Sequence, residues 1–119
     1  MDSRKLGNSV VYLPQIPLMR DKDNGKLVNR FDLTDAKRWG TICPLLDPFE
    51  NPQNAEEIID ILHEKLQDYS DSDYIVAAGN PAILGWTVAI CAYYNGGHVR
   101  MLQWSKQKRE YEVVEAVLW

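Results

Sequence analysis

Gly79-Asn80-Pro81 is the tripeptide of this sequence best suited to hold a small ligand. A glycine that accepts positive φ follows the apolar run of residues 74–78, Asn80 suits a helix N-cap, and Pro81 suits the first helical position. Such a bend places backbone N–H groups and the positive end of a helix dipole at the carboxyl end of a strand, where open α/β sheets bind nucleotides and other phosphate compounds. The fingerprint is incomplete. No further glycine stands at dinucleotide spacing, no Walker lysine follows, and Pro81 removes one donor, so an ordinary strand-to-helix turn is the competing reading.

The remaining reactive side chains do not assemble into a recognisable active site. His63 and His98 are the two histidines, and neither has a ligating companion at i+3 or i+4, so no metal and no cofactor are expected. Ser9, Ser70, Ser72 and Ser105 lie in no nucleophile elbow, and a thiol at Cys91, inside an apolar run, is a poor nucleophile. Asp71 and Asp73, beside Ser70 and Ser72, read as a solvated turn rather than an acid-base pair.

Binding is the better-supported chemistry, and charge placement suggests where. Residues 47–74 hold nine acidic side chains against one basic, whereas residues 1–46 hold eight basic against five acidic. Glu56, Asp60 and Glu64 recur every fourth residue and form one row on a helix, a candidate docking surface for a basic partner. A solvated helix face is the alternative. Lys106, Lys108 and Arg109, flanked by Trp104 and Tyr111, could pair phosphate contacts with base stacking. A net charge of −4 and the adjacent Glu110 and Glu112 argue against nucleic acid as the partner.

The elements that must position these residues are short. Residues 9–13 read as a strand, after which Pro14 and Pro17 limit residues 15–18 to an edge or an irregular arm. Asp23-Asn24-Gly25 predicts a turn between arms at 18–20 and 26–31. A helical turn over 35–39 ends at Gly40, and a strand follows over 41–46. Residues 54–69 read as a helix with Asn54 and Glu57 imitating a capping box, and Ile58, Ile59, Leu62, Leu66 and Tyr69 on one face. Residues 74–78 predict a buried strand, 81–94 a helix, and 98–104 and 110–118 two further strands.

This order predicts a single α/β domain, with a mixed sheet, two βαβ crossovers and a C-terminal antiparallel hairpin. Residues 1–40 form an N-terminal strand and hairpin arm, and residues 41–119 a βαβαββ core. The second helix is apolar almost all round, so packing on the sheet would leave Trp86, Ile90 or Tyr93 exposed. A two-fold dimer that covers them is one solution, and the N-terminal arm is the other.

The chain has 119 residues, 45% of them hydrophobic, enough for a core without disulfides and too few for a multidomain enzyme. Residues 1–8 lack the apolar region of a secretory leader, and the longest apolar stretch, 14 residues, falls short of the ~20 that span a bilayer. No membrane association is expected, and a cytoplasmic location with Cys43 and Cys91 reduced is the corresponding expectation.

Three blocks carry a family resemblance: Val11-Tyr12-Leu13-Pro14-Gln15-Ile16-Pro17, Asp73-Tyr74-Ile75-Val76-Ala77-Ala78-Gly79-Asn80-Pro81 and Leu102-Gln103-Trp104-Ser105-Lys106. In this order they resemble a family of small uncharacterised proteins encoded by short-tailed bacteriophages, marine ones included. Residues 39–54 depart most from that pattern. The resemblance brings no catalytic residues. It implies a viral protein in the cytoplasm of a host bacterium that works by binding a host or phage protein. A small nucleotide- or phosphate-binding protein or enzyme, using Gly79-Asn80-Pro81, is the alternative.

Overall fold

β1 (Val10–Gln15) is buried along its whole length, because it is covered on both faces and flanked by a strand on either side. A computed structural model describes residues 8–29 and 33–119. Beyond β1 the chain makes a small hairpin, β2 (Leu18–Arg20) with β3 (Leu27–Asn29), then a 3-10 turn at Asp35–Trp39 and β4 (Thr41–Leu46). After these come α1 (Ala55–Leu66), β5 (Tyr74–Val76), α2 (Pro81–Tyr94), β6 (His98–Ser105) and β7 (Glu110–Val117). The main sheet runs β4-β1-β5-β6-β7, parallel except for the antiparallel β6/β7 pair. The expected mixed sheet, crossovers and terminal hairpin are all present.

Alternation along β1 divides the core in two. Val10 and Tyr12 join Ile58, Leu62, Leu66, Ile83 and Cys91 under the two helices. Val11 and Leu13 join Ala36, Tyr74, Val76, Leu102 and Tyr111 on the opposite face, where Leu33 and Trp39 of the 3-10 region cover them. The 3-10 region thus covers the sheet face away from the helices, while β1 of the expected N-terminal arm lies inside the sheet.

Several boundaries differ from the sequence reading, each for a local reason. β1 passes through Pro14 to Gln15, which pairs with Leu46. The β5 ladder on its other side stops at Tyr12, so Pro14 forfeits no bond there. Asn54 makes no side-chain cap; Asn51 accepts from the Gln53 N–H one turn earlier, at a 3-10 segment over Pro52–Asn54. α1 ends at Leu66, yet Tyr69 is still buried, against Tyr12. The hairpin arm expected over 26–31 extends at Arg30 and Phe31 outside the described residues.

α2 resolves its apolar surplus through side-chain size. Ile83, Thr87, Ile90 and Cys91 are buried, while the outward stripe is Ala82, Gly85 and Ala89. Small residues expose little apolar area, so most of this helix needs no cover. Thr87, its one markedly polar interior residue, donates its hydroxyl to the Ile83 carbonyl at 2.8 Å.

Candidate functional site

The carboxyl ends of β1 and β5 lie side by side, and their connections leave in opposite directions, toward β4 and β6. That is the switch point at which α/β sheets hold ligands. A crevice of about 280 Å³ sits there, lined by residues 15–18, Pro48 and Gly79, Asn80 and Pro81. Gln15 shapes its wall, its amide donating to the carbonyls of Asp47, Pro48 and Glu50 at 3.0, 3.3 and 3.1 Å. The helix end itself is already occupied. Asn80 Oδ1 accepts from the N–H groups of Ala82 and Ile83 at 2.9 and 3.4 Å, and Pro81 has none to give. An anion would have to displace the Asn80 side chain before it met the N–H groups of Ala82 and Ile83.

The acidic row lies on the outer face of α1. Glu56, Asp60 and Glu64 are exposed, as are Glu57 and Asp68. Five acids elsewhere have basic partners. Asp35 and Glu110 engage Arg38, Glu112 engages Lys108, and Asp71 and Glu115 engage His98. Among the described residues no such ion pair forms at Glu56, Asp60 or Glu64. Like charges at i and i+4 each cost a helix a few tenths of a kcal/mol, and Glu64 near the negative end of the dipole adds to that.

The structure separates the basic and aromatic residues of the β6/β7 hairpin. Trp104 is 42% exposed but Tyr111 only 4%, its ring packed edge-on against Trp104 at 5.1 Å. Tyr111 therefore offers no face to a base. Lys108 is held by Glu112 at 2.8 Å, leaving Lys106 and Arg109 as the cations of this loop without an ion pair among the described residues. Of the three residues expected on the open side of α2, Ile90 is buried in the chain's own core, Trp86 is half-buried against it, and Tyr93 alone is exposed.

Two polar clusters escape a reading of the sequence, because each joins residues far apart in the chain. Asp73 is fully buried rather than solvated, and its carboxylate accepts from the Val10 N–H at 2.9 Å and from the Ser70 N–H and hydroxyl at 3.0 and 3.2 Å. His98 lies between two carboxylates, with Nδ1 2.5 Å from Asp71 and Nε2 2.7 Å from Glu115. Arg100 lies over the Tyr74 ring, donates to the Tyr74 hydroxyl at 2.6 Å, and also bonds the Asp71 carbonyl. Both imidazole nitrogens are engaged, so His98 ties the 70–73 turn to β6 and β7 instead of offering a free base.

The hydrogen bonds to Asp71 and then Glu115 raise the His98 pKa above its usual 6.5. A raised folded value stabilises the fold fully below the unfolded pKa, and that contribution disappears as pH climbs through the folded value. Asp71 is the converse: hydrogen bonds from Asn95 and then His98 lower its pKa, so its contribution disappears as acid protonates it. Thermal unfolding from mildly acidic to alkaline pH should therefore show wild type losing stability relative to His98→Gln. Parallel curves for the two proteins would refute the clamp.

Among the described residues no group of three His, Cys, Asp or Glu side chains could hold a metal ion, and neither Cys43 nor Cys91 is in a disulfide. No helix among them is long and apolar enough to cross a membrane. No curated protein and no solved structure matches the chain. The phage resemblance carried by the three sequence blocks has independent support, since the model of one protein family matches residues 9–118. The chain belongs to the family of the Phage Pam3 gp32-like protein.

Proposed function

We propose that this phage protein is a non-enzymatic binding protein of the infected cell's cytoplasm, and that it docks a basic protein partner, of host or phage, on the outer face of α1. One observation carries this reading: Glu56, Asp60 and Glu64 stand exposed in a single row without ion pairs among the described residues, whereas Asp35, Asp71, Glu110, Glu112 and Glu115 each engage a basic side chain. A row that weakens its own helix and is not neutralised within the chain is suited to neutralisation by another molecule. The saturated polar clusters fit the same reading, because neither His98 nor Asp73 retains the free position that proton transfer needs.

The test is affinity capture from nuclease-treated bacterial extract with wild type and with Glu56→Lys/Asp60→Lys/Glu64→Lys. One stoichiometric protein retained by wild type and lost from the variant is the expected result. The variant itself should melt close to wild type: Glu64→Lys suits the helix C-terminus, Glu56→Lys forfeits a favourable charge at the N-terminus, and the row keeps like charges at i and i+4, so effects of a few tenths of a kcal/mol offset. The crevice at the switch point favours a second reading, a small nucleotide or phosphate ligand held beside Gly79. If capture fails for both proteins and phosphate compounds raise the melting temperature, that reading replaces the first.

A further inference from the structure

The two edges of the main sheet are treated differently. On β4 the edge is interrupted by Pro44, and Lys65 Nζ donates to the Leu45 carbonyl at 2.8 Å. On β7 the alternation is fixed by the β6 ladder: Leu118 N–H donates to the Gly97 carbonyl at 2.7 Å, so even-numbered residues bond inward and odd-numbered ones point outward. The outward groups of Tyr111 are capped, its N–H by Asp35 at 2.6 Å and its carbonyl by Arg38 at 3.0 Å. Beyond Tyr111 the capping stops. The outward N–H and carbonyl groups of Val113, Glu115 and Val117 have no hydrogen-bond partner among the described residues.

This open half-edge lacks the usual protection. β7 contains no Lys, Pro or Gly, and Val113, Val114, Val117, Leu118 and Trp119 are 41 to 69% exposed. Glu115, the one charge in the open stretch, is turned onto His98 of its own sheet. A bare apolar edge of this kind is a template for another strand.

We infer that its occupant is the same edge of a second copy, joined antiparallel about a two-fold axis at Ala116 into a ten-stranded sheet. Antiparallel self-pairing must set odd residues opposite odd residues, which leaves few registers. Centring on Glu115 stacks two carboxylates. Centring on Val114 brings Val117 opposite Tyr111, whose outward groups Asp35 and Arg38 already hold. Centring on Ala116 sets Glu115 opposite the partner's Val117 and Val113 opposite the partner's Trp119, with Val114 beside the partner's Leu118. No two carboxylates then face each other, and the smallest side chain of β7 occupies the axis, where facing Cα atoms approach to about 4.5 Å.

The measurement is light scattering on the purified chain, combined with oxidative cross-linking. Wild type should show twice the 13.7 kDa chain mass. Val117→Pro removes an outward donor and no bond to β6, so it should give the single mass with unchanged circular dichroism. Oxidised Ala116→Cys should form a covalent dimer, its Cα separation falling within the roughly 4.4–6.8 Å of a disulfide. Val114→Cys, far from its own copy in this register, should cross-link no more than wild type, which carries Cys43 and Cys91. A single-chain wild-type mass at micromolar concentration overturns the inference. So does a dimer that survives Val117→Pro, or one that cross-links in the Val114→Cys variant and not in Ala116→Cys.

Discussion

Replacing Asp73 by Ala is expected to lower stability by about 3 kcal/mol, an effect of the size that orphaned buried donors produce. The carboxylate closes the 70–73 turn through Ser70 and, from the same side chain, receives the first N–H of β1. Deleting it leaves the Val10 N–H without an acceptor in a place where Val10 itself is 0% exposed. Loss of a buried charge returns some desolvation energy, so the orphaned donors, and not the missing charge, set the magnitude. Asp73→Asn keeps one acceptor oxygen and should lose roughly half as much. Asp71→Ala two residues away removes a 73% exposed side chain and should lose much less than either Asp73 variant, as exposed pairs do. Urea unfolding of the three variants checks this order, and equal losses for positions 71 and 73 would defeat it.

That pair also marks where sequence reasoning stops. Ser70-Asp71-Ser72-Asp73 is polar throughout, so local composition describes all four as a turn. Which carboxylate is buried depends on Val10, 63 residues away. The elements set by local pattern are legible: α2 runs between its Asn80-Pro81 start and Asn95, and the β6/β7 hairpin follows from alternation. The Gly79 bend is legible as a strand-to-helix junction, but the occupation of the Ala82 and Ile83 N–H groups by Asn80 follows from a rotamer that no spacing encodes. Exposure of α2 is legible at Tyr93 but not along the rest of its outer stripe, because periodicity counts apolar positions and ignores the small size of Ala82, Gly85 and Ala89. The bareness of β7 is visible in Val113, Val114 and Val117 without Lys or Pro. Its division into a capped and an open half requires Asp35 and Arg38, which reach it from the far end of the chain.

Gly40→Ala should be the other strongly destabilised variant, with a loss of about 3 kcal/mol and a melting temperature lower by roughly 10 °C. A Cβ there would stand 2.4 Å from the Ser9 carbonyl oxygen and 2.7 Å from its carbon. Both are backbone atoms, so no rotamer change relieves the contact. The same Ser9 oxygen accepts the Thr41 N–H at 3.1 Å, one step before the Val10↔Thr41 pairing opens the β1/β4 ladder. Relief must therefore move the start of β4 or the 3-10 turn before it. Gly85→Ala is the matched control: nothing lies within 4 Å of a Cβ there, and a helical Gly→Ala exchange stabilises by about 1 kcal/mol. Opposite signs for the two substitutions in thermal unfolding are the expected outcome, and a neutral Gly40→Ala would show that the turn yields easily. The displacement would reach β7 as well, because the same 3-10 turn carries Asp35 and Arg38 to Tyr111. Hydrogen exchange at the Tyr111 amide should quicken in Gly40→Ala and stay slow in Gly85→Ala, since the cap on the open edge can be no firmer than the turn that presents it.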